Sequence, residues 1–168
     1  MHIQSIRIPA RSELHAFAST AHFADCYLAP NPWPERSAID LFAQTAGNTP
    51  SWVNALMHLR NRIVRLFGLK NLGTLDAVKP GHVYKIGERV GIFTLLYSSE
   101  AEVILGDLDK HLEVRLSVLK MQSSDGSAQI AVSTAVREHN ALGKIYMLFV
   151  GPIHKLIVPA VLQRGLKT

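Results

Sequence analysis

The chain has 168 residues, 48% of them apolar and 18% charged, with a formal net charge of +5. That length suits a single domain over residues 1–168 with a real hydrophobic core, and that balance excludes a disordered chain. The one cysteine, Cys26, excludes an internal disulfide, and apart from Arg60, Arg62 and Arg65 the basic residues are scattered, which argues against nucleic-acid binding.

The opening MHIQSIRIPARSELHAF holds no long apolar segment, so a cytoplasmic protein is expected. Residues 3–9 read as extended, and Ser12 opens a short turn through Phe17. Residues 21–29 read as a strand, which PNPWP ends because its prolines stop both helix and sheet. Two helices follow. Ser37 and Asp40 form a capping box, Ile39, Phe42, Ala43 and Ala46 recur at helical spacing, and Gly47 is the stop. Thr49 and Pro50 then read as the cap and first residue of a second helix that runs to Phe67 and ends at Gly68. Its expected buried stripe is Trp52, Leu56, Leu59, Ile63 and Leu66, with Ser51, Asn54, His58, Arg62 and Arg65 outside.

Past a loop over residues 70–81 the period changes to two. Residues 91–97 and 102–106 read as one strand pair. In HLEVRLSVLK, Leu112, Val114, Leu116 and Val118 point one way, and His111, Glu113, Arg115 and Ser117 the other. SSDGS is a turn, and QIAVSTAVRE repeats the pattern with Ile130, Val132, Thr134 and Val136. This predicts an antiparallel hairpin with one dry and one wet face, and an α+β fold in which the last helix covers the dry face.

That last helix, over residues 142–164, is nearly all apolar. On a helical wheel Leu142, Tyr146, Phe149, Ile153, Leu156, Ile157 and Ala160 share the expected sheet-facing stripe. Lys144, Gly151, His154 and Lys155 fall opposite, among Met147, Leu148, Val158 and Leu162. Lys144 and Lys155 would sit at different depths in a bilayer, where a central lysine costs about 2.5–3.5 kcal/mol, so no transmembrane segment is expected. The apolar residues on the opposite face predict that something packs there, the N-terminal segment, a second subunit or a membrane surface, and a homodimer or other close association is expected. Pro152 and Pro159 each lack an N–H for the preceding turn, which predicts a bend near Gly151.

FADCYLAPNPWP, TPSWVNALMHLRNRIVRLFGLK, GDLDKHLEVRLSV and YMLFVGPIHKLIVPAVLQR, in that order, resemble an uncharacterised bacterial domain family. It is placed in the START-like superfamily, also called SRPBCC or helix-grip. Related domains occur alone or behind a short-chain dehydrogenase-like NAD(P)-binding domain. The resemblance implies a curved antiparallel sheet wrapped on a long C-terminal helix, with two helices inserted after the first strand and a cavity between sheet and helix. It implies no proven activity, since superfamily members include carriers, receptors and enzymes; the expected function is binding of a small hydrophobic or amphipathic ligand in that cavity. Two alternatives stand beside it: a cyclase or dehydratase-type enzyme using the same cavity, and a ligand-free structural or regulatory dimer. The chain has no G-x-G-x-x-G, so no nucleotide or other cofactor is expected.

The expected pocket is bounded by Tyr146, Phe149 and Ile153, by Thr134 on the strand face, and by Arg60 at the edge of the second helix's dry side. Tyr146 carries a hydroxyl that needs a partner when buried, and Arg60 can receive an anion or lay its stem on the core. Asp107, Asp109 and His111 alternate, which is compatible with a metal or acid–base site. Turn and edge roles explain them better, and no metal is expected. His22 with Asp25, Cys26, and Ser133 with His139 lack any nucleophile motif and read as structural. No catalytic residue is singled out.

Overall fold

The computed structural model describes residues 2–66, 78 and 81–167, without the side chains of residues 63–66. Alternating residues drive the longest strands, β6 (Leu112–Gln122) and β7 (Ala128–Glu138), into the expected hairpin. Its loop closes through Gly126, at φ +82, a conformation only glycine adopts without strain. The remaining elements are β1 (Gln4–Ser5), α1 (His15–Ala18), β2 (Phe23–Pro30), α2 (Ala38–Gly47), α3 (Ser51–Leu66), β3 (Arg89–Val90), β4 (Phe93–Ser98), β5 (Glu102–Leu108) and α4 (Ala141–Gly165). The described strands form one antiparallel sheet of order β1-β2-β7-β6-β5-β4-β3. This is an α+β fold with two helices after the first long strand and a long helix at the end. Ser37 caps α2 by accepting from the Asp40 amide, and Asn140 caps α4 by accepting from the Gly143 amide.

Both faces of the sheet are covered, which corrects the expectation of a wet face. On one side, Tyr27, Leu95, Leu105, Val118, Ile130 and Val132 pack with α2 and with Val158 and Leu162 of α4. On the other, the N-terminal segment crosses the strands. Leu14 and Phe17 bury against Ile104 and Ala135, and Ile6 and Ile8 cover the patch around Cys26, Leu119 and Ala131. The polar alternation is real but roofed. The guanidinium carbons of Arg115 and Arg137 lie 4.2 and 3.9 Å from the Phe17 ring centre. Glu102, buried, accepts from Ser12 Oγ at 2.6 Å, Ser117 Oγ at 2.6 Å and the Glu13 amide at 3.0 Å. A sheet position that reads as polar can therefore face a second layer when that layer supplies the donors.

Two helix faces also differ from expectation. On α3, Val53 is buried and Met57 packs against the core, while Trp52 and Leu59 are exposed. The helix has two adjacent apolar stripes about 100° apart, and the short link from α2 turns the second one inward. Thr49 does not serve as the expected cap, since its hydroxyl donates to the Ala46 carbonyl at the end of α2. Ile63, Leu66, Phe67, Gly68 and most of the 70–81 loop lie outside the described residues or side chains.

On α4 the wheel is turned. The buried edge is Gly143, Met147, Gly151, Val158, Leu162 and Gly165. Ile145, Leu148, Phe149, Ile153 and Leu156 face out. The glycines set this choice. A Cβ at Gly143 would collide with the His111 carbonyl, and one at Gly165 would lie 2.6 Å from Thr45 Cα. No side chain larger than hydrogen fits at those two positions, so this edge, with Met147, Val158 and Leu162 between the glycines, is the one that faces the sheet and α2. The helix continues through Pro152 and Pro159. The Lys155 carbonyl, which Pro159 cannot serve, accepts instead from the Tyr27 hydroxyl at 3.4 Å.

Gly143→Ala and Gly165→Ala should each cost about 1–3 kcal/mol, as overpacking does, and lower the melting temperature by several degrees. Gly47→Ala, where an added Cβ meets nothing within 4 Å, is the control and should leave it unchanged or raise it. Glu102→Ala should loosen the N-terminal segment. Limited proteolysis should then cut within residues 2–20 well before the parent is cut.

Candidate functional site

Three odd-numbered residues of β2, Phe23, Asp25 and Tyr27, face α4. They pair in register with Val136, Thr134 and Val132 of β7. Two would be ordinary core. Asp25 is not, because a carboxylate in an apolar layer needs a partner.

The partner comes from the register of α4. Gly151 packs on the Phe23 ring, where an added Cβ would make an ordinary contact at 3.4 Å, and the helix meets β2 at that point. One turn on, His154 lies over Asp25, with Nδ1 2.9 Å from Asp25 Oδ2. The Phe23 ring meets the imidazole edge-on at 5.7 Å. With Nδ1 held by the carboxylate, Nε2 is the free position of the ring, and no described residue bonds it. The Asp25 side chain is 6% exposed and the His154 side chain 22%.

Two buried atoms beside this pair have no hydrogen-bond partner among the described residues: Asp25 Oδ1 and Thr134 Oγ1. They belong to directly opposed residues of neighbouring strands. Such atoms are uncommon in native proteins and mark a place for a water or a ligand group; Asn54 Oδ1, His111 Nε2, Ser133 Oγ and Arg137 Nε are likewise without a partner among the described residues, but none of these belongs to the surface facing His154.

Next along the same face, Tyr146 packs with Phe23, Val136 and Met147. Its hydroxyl accepts from Arg60 Nε at 3.1 Å, and Arg60 also lies over its ring, 5.6 Å from the centre. Arg60 and Tyr146, each expected at the border of a pocket, bond each other, and α3 is tied to α4 there. Thr134 sits at the polar end of the same surface. Phe149 and Ile153 stand on the outer side of α4, not under it. Their expected inward placement came from the wheel that the glycines overrule. Asp25 and His154 were the residues missed. An acid at an inward-facing strand position, and a histidine three residues after a glycine, were the available signals.

The other expected groups have ordinary roles. Asp109 accepts from the amides of His111 and Leu112, as a turn aspartate does. Asp107 pairs with Arg89 at 3.2 Å, and His111 Nδ1 lies 3.2 Å from Asn140 Oδ1. No group of three metal-ligating side chains occurs among the described residues. His22 Nδ1 accepts from the Glu138 amide rather than meeting Asp25. Two depressions open to solvent, of about 270 and 360 Å³, lie elsewhere: one at Arg11, Asn31 and Lys120, the other at Leu96, Asp107 and Arg115.

These features define an α+β domain with a part-buried acid–histidine pair where its C-terminal helix meets β2. Residues 17–161 match the family described as Protein of unknown function (DUF2867), and the chain belongs to it. No curated protein and no solved structure matches the chain.

Asp25 also acts on its strand neighbours. Burial pushes the Cys26 thiol above its ordinary 9.0; Ser133 opposes the rise and the Asp25 charge adds to it. Burial, and then the Asp25 charge, push the Tyr27 phenol above 10.0. Both groups hold their protons more tightly folded than unfolded. Their contribution to stability is thus complete below pH 9 and is lost as pH rises through the folded values. Denaturant titrations from pH 8 to pH 11 should show stability falling above about pH 9. Cys26→Ala should remove the first part of that fall and leave the part beginning near pH 10.

Proposed function

We propose that this protein is a START-like binding domain. It holds a small amphipathic molecule whose hydroxyl or amino group donates to Asp25 Oδ1, beside Thr134 Oγ1, while its apolar body lies along Phe23, Val136 and Tyr146. The unpartnered pair of buried atoms on Asp25 and Thr134 carries this reading. A fold that buries two such atoms side by side loses stability unless something meets them. The strand order supports the superfamily assignment: the first long strand lies beside the last, two helices bridge β2 and β3, and the long final helix crosses that side of the sheet. The Arg60–Tyr146 bond closes the α3 side and must open for a ligand larger than a few atoms.

A second reading rests on the Asp25–His154 pair. A carboxylate that fixes Nδ1 leaves Nε2 able to take a proton from a bound molecule, as the cyclase or dehydratase alternative requires. The two readings share one site and differ in whether the bound molecule is changed.

Mass spectrometry of small molecules released from natively purified protein tests both. A single amphipathic species should appear and fall at least tenfold in Asp25→Asn and Thr134→Val, while Phe149→Ser keeps it. His154→Gln should retain the species, and accumulation of an unconverted precursor in that variant would select the second reading. Thr134→Val decides the matter if nothing is released. A higher melting temperature, with no apolar dye bound by the parent, would show the hydroxyl to be only a buried cost of about 1–3 kcal/mol, and the binding reading would fall.

A further inference from the structure

The outer face of α4 is unlike a solvated helix face. Leu148, Phe149 and Leu156 are 71%, 67% and 68% exposed, and Ile145 and Ile153 stand beside them. By length and composition α4 is apolar enough to cross a membrane, yet only 17% of its most apolar stretch is buried. Spanning is incompatible with the fold. The glycine edge is seated on His111, Phe23 and Thr45, and His154 is paired with Asp25.

The lysines indicate what meets this face. At 100° per residue, Leu148, Pro152, Ile145, Leu156, Phe149 and Ile153 fill an arc of about 140°. Lys144 and Lys155 lie together at one border of that arc, about 20° apart on the wheel and about 16 Å apart along the axis. Both are exposed, and neither is paired with an acid among the described residues. A helix lying flat brings both ammonium groups to one depth, at the edge of its apolar stripe. α4 has no Asp or Glu from Ala141 to Gly165, and Lys167 follows just beyond. A second copy packed antiparallel on this face would set the two lysine borders side by side with no acid on the helix to meet them. An anionic surface has the complementary charge.

We propose that α4 is a membrane-surface helix. Its outer face lies in the headgroup–acyl boundary of a bilayer rich in anionic phospholipid, with Lys144 and Lys155 at the phosphates and the sheet held above the surface. This face is separate from the Asp25–His154 site and does not depend on what that site binds.

The test is co-sedimentation of the purified protein with vesicles of phosphatidylcholine, with and without phosphatidylglycerol. Binding is expected only to the anionic vesicles and should weaken with added salt. Lys144→Gln and Lys155→Gln should each weaken it about fivefold, the effect of one basic residue near such a surface. The pair Leu148→Asp and Phe149→Asp should abolish it, and exposed positions should leave thermal unfolding near that of the parent. Should that variant misfold, an environment-sensitive dye on Leu148→Cys replaces it, Cys26 being buried. The dye should shift to the blue with anionic vesicles, and the same dye on Asp125→Cys should not. Failure of the parent to bind anionic vesicles overturns the proposal. So does undiminished binding by the Leu148→Asp, Phe149→Asp protein. A stable dimer that Phe149→Asp splits, with no vesicle binding, assigns the face to a second copy instead.

Discussion

The close seat of α4 on the sheet governs most of what is distinctive here. Glycines at 143 and 165 let the helix backbone approach the His111 carbonyl and Thr45 more nearly than any side chain permits, and Gly151 packs on the Phe23 ring between them. A helix normally buries its bulkiest stripe, since apolar burial is worth about 25 cal/mol per Å². This one buries an edge on which three glycines stand among Met147, Val158 and Leu162, and leaves Leu148, Phe149 and Leu156 outside. The loss in side-chain area is offset by backbone-to-sheet contact at interior packing density and by the fixed register that follows. Gly151 on Phe23 places His154 on Asp25, and the carbonyl freed by Pro159 reaches Tyr27.

Much of the architecture was legible in the sequence. Period-two runs located β6 and β7, SSDGS located their turn, and Ser37 and Asp40 located the start of α2. These signals are local, and a backbone obeys them wherever the segment lies. The choice of face was less legible. Trp52 and Val53 begin adjacent stripes on α3, and either can be buried. On α4 the apolar residues surround most of the helix, so hydrophobicity alone cannot orient it. The small residues hold that information: Gly143 and Gly165 mark the close approach, and a wheel weighted by size would have placed Phe149 and Ile153 outside.

The polar side of the strands misled for another reason. Arg115, Ser117 and Ser133 alternate as solvent-facing residues do, yet the N-terminal segment lies over them. Glu102 receives two hydroxyls and an amide, and Phe17 sits between two guanidinium groups. A polar residue in a strand shows only that something polar must be met. Water is one answer, and a strap with its own donors is another. Because that strap is built from residues 2–21, far away in sequence, no local pattern could reveal it. The candidate site was partly legible for the same reason. Arg60 and Tyr146 were drawn together by type, while the Asp25–His154 pairing spans the chain.

The buried polar groups are poorly explained by stability. An acid and a histidine taken out of water seldom gain from their attraction more than desolvation costs, and apolar replacements of similar size are often neutral or stabilising. Glu102 has all its partners and a clear task in fastening the N-terminal segment. Among the described residues, Asp25 has one oxygen engaged and one without a partner, and the Thr134 hydroxyl opposite it has none. Packing alone would be better served there by valine, as at the flanking Val132 and Val136. The same argument applies outside, where Leu148, Phe149 and Leu156 lose rather than gain by facing water. The molecule is thus apolar where a soluble surface would be polar, and polar where a core would be apolar. Both departures border one helix, the polar groups on the strands beneath it and the apolar side chains on its outer face, and the close seats at Gly143 and Gly165 set which face is which.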